Sequence, residues 1–415
     1  MTVKTWSLYR SSTRLLITAS GSRTMRRLQG FFVCPKIFMG SMALSVAMLS
    51  IAPLMEKKKA FIVTDKAIKN LVEKVLPQFN LFGFEVYVCD KALPEPPIKV
   101  VEEIAEDMRK FEPDLIVAVG GGSAIDSAKG AWIKYEKPEL EIGTPVPLTP
   151  LGLRKKALLM AIPTTAGTGS EATAALVLTD TEVDPPRKIA HMHQELVPDF
   201  AILIPELTME MPRDLTIGTG LDALAHAFEA YINRNWANPM TDSLSIGAMK
   251  TIFKYLPRVV EEPRNLEARF NIQIAATMAG LAFSNGAVGL THALGHAVGK
   301  VYGIHHGKAV GMMIPYVLNF VAKVNDSYID LAKEFEIKEN YLENLTRFFK
   351  NFIESFGVST ILKDYVSEDR FRQTLEVVAR YAVEDPTAAQ SIRQVGVEDA
   401  KKLLECVFSG KMPDW

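Results

Sequence analysis

The sequence predicts an α/β domain built on a parallel sheet, followed by an all-helical domain. Three observations carry this reading. Short apolar, β-branched runs alternate with amphipathic helical stretches as far as about residue 206. Two of those runs lead into segments rich in glycine or in glycine and threonine. From Asp222 onward the apolar spacing is helical nearly to the end. Strands alternating with helices fold as right-handed β-α-β units, which bury both faces of a parallel sheet.

Taken in order, Ala60–Thr64 is a strand-like run, with Asp65 as the cap of a helix reaching Lys74. Phe84–Cys89 is the next strand. Ile98–Phe111 is an amphipathic helix with Val101, Ile104 and Met108 on one stripe. Asp114–Val119 is a fully apolar strand that ends at Gly120, Gly121 and Gly122. Ala157–Ile162 runs into Pro163, and Phe200–Ile204 follows Pro198 and Asp199. Helices are expected over Ala223–Ile232, Met240–Tyr255, Leu266–Phe283, Thr291–Val301, Ala309–Val324, Tyr341–Phe356 and Phe371–Tyr381. The α/β domain is placed at 31–206 and the helical domain at 207–415. Residues 1–30 are rich in Arg and Ser and contain no Asp or Glu. They read as a disordered or atypical extension, or a mis-assigned start, rather than a transit peptide.

Composition narrows the function. Forty-seven basic residues against 48 acidic ones leave a net charge of −1 over 415 residues. A nucleic-acid binder would carry a basic excess. Three cysteines without a C-x-x-C pair exclude a disulfide scaffold and a cysteine-rich zinc site, so a cytoplasmic setting is the default. The most apolar stretch, Met42–Leu54, falls short of the ~20 residues that span a bilayer and is expected to be a buried helix.

Glycines at the end of a strand let backbone N–H groups approach a phosphate, and the following helix points its positive end at the anion. Gly120, Gly121, Gly122 and Ser123 fit that role, with Ser123 and Asp126 spaced as a capping-box variant. A tight structural turn explains three glycines equally well. A second segment shifts the balance: Pro163-Thr164-Thr165-Ala166-Gly167-Thr168-Gly169-Ser170-Glu171 also follows an apolar strand. Two such loops at the carboxyl edge of a parallel sheet predict a dinucleotide site, in a Rossmann-like arrangement. Asp90, just after the strand Phe84–Cys89, is placed to bond the ribose hydroxyls, which favours NAD over NADP, although Lys91 offsets its charge.

Of seven histidines, His292, His296, His305 and His306 fall within fifteen residues. Asp222 and His226, and likewise His292 and His296, are four apart and therefore share a helix face. Carboxylate and imidazole donors suit a divalent ion such as Fe2+, Mn2+ or Zn2+. The neighbours in sequence are Ala and Gly, which offer these rings no polar partners. His191 and His193 lie in a polar stretch and are expected to be solvated.

These residues together resemble the iron-containing (group III) alcohol dehydrogenase family, from about Phe31 to the last helices. G-G-G-S-A-I-D-S-A-K at 120–129 is similar to its pyrophosphate loop, and P-T-T-A-G-T-G-S-E at 163–171 to its second cofactor segment. P-E-L-T at 205–208, G-L-D-A-L-A-H-A-F-E-A at 220–230, H-A-L-G-H-A-V-G at 292–299 and H-H-G at 305–307 extend the likeness. The resemblance implies metal ligation by Asp222, His226, His292 and His306. It puts His296 near the nicotinamide, with Gly120, Gly121, Gly122, Ser123, Asp126, Thr164, Thr165 and Thr168 on the coenzyme; since an imidazole titrates near neutrality, His296 is expected there as the catalytic proton-relay group. It also implies two domains, a homodimer, and hydride transfer between a small primary alcohol or aldehyde and NAD or NADP. Glycerol dehydrogenases and dehydroquinate-synthase-like enzymes share the architecture. The latter would need a basic cluster for a phosphorylated substrate, whereas Phe228, Phe283 and Val288, expected beside the ligands, are apolar.

Overall fold

Six parallel strands form the first unit's sheet: β1 (Lys36–Met39), β2 (Lys59–Val63), β3 (Glu85–Cys89), β4 (Leu115–Gly120), β5 (Leu158–Pro163) and β8 (Phe200–Leu203). Their order is β1-β8-β5-β4-β2-β3. The computed structural model describes residues 32–142, 150–182 and 187–415, so the expectation for 1–30 lies outside them. This first unit comprises Val33–Met211 and Arg264–Thr277; the second comprises Pro212–Pro263 and Met278–Trp415.

Every residue of β4 is buried, as a central parallel strand covered on both faces requires. The two faces are read by alternation. Phe61, Val63, Ile116, Ala118, Leu159 and Ala161 pack with α3 (Ile98–Phe111) and α4 (Gly122–Glu136), through Val101, Ile104, Met108, Ile125 and Trp132. Ala60, Ile62, Val117, Val119, Met160 and Ile162 face α1 (Ala43–Ile51) and α2 (Lys69–Leu81), meeting Met48, Ile51, Val72, Val75 and Phe79. Asp65 does cap a helical turn, the 3-10 segment Lys66–Ile68, by accepting from the Ala67 N–H at 2.6 Å.

Three expectations are corrected in this unit. The stretch Met42–Leu54 is only half buried. Ala43, Leu44, Ala47, Met48 and Ile51 face inward, while Met42, Val46, Leu49 and Leu54 are exposed. A helix lying on one face of a sheet has only one face to bury, whatever its composition. Next, β6 (Ala175–Asp180) and β7 (Arg187–Met192) form an antiparallel hairpin that the apolar pattern did not announce. His191 lies on β7 and is buried, and burial pushes its pKa down to about 4. His193 is buried too, its Nδ1 accepting from the Glu195 N–H at 3.1 Å; neither ring is solvated. Third, α4 starts at Gly122 with Gly121 as its cap and no side-chain capping bond, so Ser123 and Asp126 form no capping box.

The second unit is helical among its described residues: α5 (Arg213–Ile232), α6 (Pro239–Glu261), the last turns of α7 (Leu266–Gly286), α8 (Leu290–Tyr302), α9 (His306–Val321), α10 (Ser327–Glu334), α11 (Tyr341–Glu354), α12 (Glu368–Glu384) and α13 (Val397–Ser409). Helix α5 begins ten residues before the expected Ala223, because Gly218 and Gly220 are packing glycines rather than breaks. A Cβ on Gly218 would stand 2.5 Å from the His305 ring, and one on Gly220 2.5 Å from Leu256. Phe228 is fully buried, edge-on to Phe349 of α11 at 5.4 Å between centroids. It belongs to the core rather than to the ligand shell. Among the described residues no single helix is long and apolar enough to cross a membrane.

Candidate metal centre and glycine loops

Helix α5 carries Asp222 and His226 one turn apart, α8 carries His292, and α9 opens with His306. Their ring nitrogens converge on one atom. His306 Nε2 is 3.2 Å from Asp222 Oδ1, His292 Nε2 3.8 Å and His226 Nε2 3.9 Å. Asp222, His292 and His306 each offer a ligand atom within 4.8 Å of the others. Donors ~2.1 Å from a shared tetrahedral ion stand roughly 3.4 Å apart, so this spacing fits a metal better than it fits hydrogen bonding. Asp222 Oδ1 and His292 Nε2 are buried with no hydrogen-bond partner among the described residues, a costly state unless a cation sits between them. The residues present therefore fit a divalent ion. Burial pushes the Asp222 carboxyl up, but His226 and His306 outweigh it and hold it well below its ordinary value. Burial also lowers the His226 pKa to about 3, keeping that ring neutral and able to ligate.

Close backbone approach brings His306 in. A Cβ on Gly307 would overlap the Gly218 carbonyl and stand 3.1 Å from Asp222 Cβ, so only glycine lets α9 start against α5. Glu229, one turn along α5 from His226, holds His292 in place. Its Oε2 is 2.6 Å from His292 Nδ1, and its carboxylate also accepts from the N–H groups of Thr291 and His292. Carboxylates that orient a ligating histidine in this way fix its tautomer. Phe283 stacks on His226 at 4.3 Å, and Val288 is buried nearby in sequence, its carbonyl accepting from Asn233.

In the first unit, the two loops follow neighbouring strands, with Gly120 opposite Pro163 and the Thr164 N–H donating to the Gly120 carbonyl at 3.0 Å. They touch directly. A Cβ on Gly121 would meet Thr165 at 3.2 Å, and one on Gly122 would meet Thr168 at 2.9 Å. Asp126 faces inward from α4. Its Oδ1 accepts from the Ser170 hydroxyl at 2.9 Å and its Oδ2 from the Val177 N–H at 3.1 Å. That carboxylate ties the two loops together from below.

Two family models match the chain, the iron-containing alcohol dehydrogenase model over residues 34–205 and the C-terminal model of the same family over 216–408. The chain belongs to the iron-containing alcohol dehydrogenase family. An NADPH-dependent butanol dehydrogenase of Clostridium saccharobutylicum is 36% identical over 83% of this chain and 89% of its own. An NAD-dependent methanol dehydrogenase of Bacillus methanolicus is 33% identical over 84% of this chain and 92% of its own. The iron-containing alcohol dehydrogenase of Thermococcus thioreducens superposes with a TM-score of 0.82 at 32% identity, covering 92% of this chain and all of that one. This member is a metal- and NAD(P)-dependent alcohol dehydrogenase.

Within the dehydrogenase, Asp90 follows β3, the edge strand, so β2 stands between it and the glycine strand β4. Lys69 Nζ lies 3.6 Å from its carboxylate. Asp65, at the end of β2, is nearer to β4 in strand order. Two residues of the dehydrogenase's helical unit join these without having stood out in the sequence. Glu229 is seven after Asp222 and three after His226, on the same helix face, and that spacing could have revealed it. Asp385, whose Oδ2 is 2.8 Å from His296 Nδ1, is 89 residues away and carries no local signal.

Proposed function

We propose that this dehydrogenase acts on a small uncharged primary alcohol and its aldehyde, with Asp222, His226, His292 and His306 holding one divalent ion, iron first and manganese or zinc as rivals. The observation that carries the reading is the convergence of three imidazole nitrogens on the orphaned Asp222 Oδ1. When bound, the ion supplies Lewis acidity that lowers the pKa of the alcohol hydroxyl. NAD(P), when bound, would supply the acceptor for the hydride that leaves the carbinol carbon, and His296 is the base that would hold the hydroxyl proton released as the alcohol becomes the aldehyde. Gly120, Gly121, Gly122 and Ser123 cradle the coenzyme pyrophosphate at the start of α4, with Thr164, Thr165 and Thr168 beside it. Asp126 supports that cradle from within. The stacking of Phe283 on His226 supports an apolar substrate.

Two measurements test this. kcat/KM for butanol and butanal should exceed that for glycerol at least ~10-fold with the preferred coenzyme, since glycerol loses hydrogen bonds to water without new partners; a preference for glycerol or a sugar phosphate overturns the substrate reading. The Ser123→Glu variant puts an anion at a helix start, which favours the helix but repels a pyrophosphate. NAD(P)H binding should weaken more than ~10-fold at unchanged metal content, and undiminished binding would reduce the loop to a turn. Running both coenzymes decides whether Asp90, offset by Lys69, governs the NAD preference.

A cytoplasmic homodimer completes the reading. Cys34, Cys89 and Cys406 are all unpaired, as a reducing compartment favours. Exposed Met39, Met42, Val46 and Leu49 stand on and beside the edge strand β1, an apolar row suited to a second copy of this chain. Light scattering should give twice 45.9 kDa, and Leu49→Glu should shift it toward the single chain. A monomeric parent protein sinks the proposal.

A further inference from the structure

His296 stands one turn beyond His292 on α8, a quarter exposed, its ring stacked on that of His306 with centroids 5.0 Å apart. Its Nδ1 is 2.8 Å from Asp385 Oδ2. Asp385 closes α12 and opens the 3-10 turn Pro386–Gln390. The two oxygens of this carboxylate divide their work. Oδ1 accepts from the Thr387 N–H at 2.9 Å and from its hydroxyl at 2.6 Å, fixing the carboxylate plane. Oδ2 is left for the imidazole. Burial pushes the Asp385 carboxyl up, but His296 and Thr387 outweigh it and hold its pKa at about 2.

We propose that Asp385 is the positioning residue that fixes His296 as its Nδ1–H tautomer, leaving the Nε2 lone pair to accept the substrate's hydroxyl proton. The inference rests on the reading of His296 as the relay group. An ionised carboxylate can only accept hydrogen bonds, so the imidazole nitrogen facing it must carry the proton. A neutral imidazole has one N–H, and Nε2 is then the acceptor. The anchored turn also stops the ring from flipping about its own axis, because a flip would exchange the Nδ1 contact for a C–H. Nothing in the H-A-L-G-H-A-V-G segment itself could set this tautomer; the turn after α12 does.

The variant that tests this is Asp385→Asn, which keeps size and shape. Its amide oxygen can serve Thr387 or His296 but not both. If the oxygen keeps the turn, the NH2 group faces Nδ1 and forces the proton onto Nε2. Nitrogen-15 NMR of histidine-labelled, zinc-loaded protein reads the tautomer directly. The expected result is a His296 proton moved to Nε2, kcat about 100-fold lower and coenzyme KM within about twofold, with Asp385→Glu recovering a substantial part of kcat. Combined with His296→Ala, Asp385→Asn should add no further loss, since both remove the same function. A tautomer unshifted in Asp385→Ala as well as in Asp385→Asn, or losses that multiply in the double variant, overturns the positioning role. A shifted tautomer together with full kcat in His296→Ala sinks the relay reading instead and leaves the positioning role standing.

Discussion

Replacing Asp222 with Ala is expected to remove the bound ion and the activity together. The Asp222 carboxylate is the hub of the candidate centre, with the Nε2 atoms of His306, His292 and His226 at 3.2, 3.8 and 3.9 Å from one oxygen. Without it, three buried or partly buried imidazoles face one another with no anionic partner. Metal content by mass spectrometry should fall from near one to below ~0.1 per chain, and kcat/KM by at least ~1000-fold, on the scale of several kcal/mol that a Lewis-acid ion contributes. Helix content should survive, because the cores packed around α5 and α11 do not depend on these four side chains. Glu229→Gln should be milder, ~10–100-fold in metal affinity, as expected for a group that orients a ligand without touching the ion. Stoichiometric metal in Asp222→Ala would falsify the assignment.

Lys129→Met is expected to cost the first unit more stability than any surface change. Lys129 is fully buried on α4, and its Nζ donates to the carbonyls of Thr173 and Ala175, each at 2.8 Å. It is also the cation nearest in effect to two buried acids, Asp126 and Glu171, the latter accepting from the Thr277 hydroxyl at 2.7 Å. Burial lowers the Lys129 pKa to about 8 and raises those of Asp126 and Glu171, while the charge of Lys129 pulls both carboxyls back down, helped by Ser170 and Val177 at Asp126 and by Thr277 at Glu171. Methionine fills the same space but takes away a donor from two carbonyls and the positive charge from two carboxylates. Breaking a buried ionic set from one side costs ~3–5 kcal/mol. At ~2–4 °C per kcal/mol for a unit of this size, Tm should drop by roughly 6–20 °C. Calorimetry checks it, and a loss under ~1 kcal/mol would mean that the acids are neutral without Lys129.

Five of the sheet's six strands were readable as short apolar runs and shift by one residue at most from their observed positions, whereas the four-residue edge strand β1, exposed at both ends, carried no such signal. Strand β7 was not readable either, since Arg187 and Lys188 begin it and His191 and His193 look polar on paper; their burial is decided by what the hairpin packs on. Glycine misled in the other direction. Gly218 and Gly220 sit mid-helix because His305 and Leu256 need the room, which no local preference encodes. In the candidate centre, Asp222, His226 and His292 stood out through helical spacing, whereas the fit of His306 against Asp222 depends on two helices meeting at Gly307 and Gly218. Phe228 was misplaced because a residue two after His226 points away from it, toward Phe349.

The contact between Gly122 and Thr168 bears on how this enzyme can be changed. With only 2.9 Å for a Cβ at 122 against the Thr168 methyl, and 3.2 Å at 121 against Thr165, the two loops are not separate parts that can be redesigned in turn. Any side chain introduced at 122 must be matched by a smaller one at 168, so natural drift and laboratory evolution alike have to move through paired substitutions there. A library that varies 121 and 122 alone will be dominated by variants whose defect is steric and says nothing about coenzyme choice; one that varies 122 with 168, and 121 with 165, samples sequences that can still close.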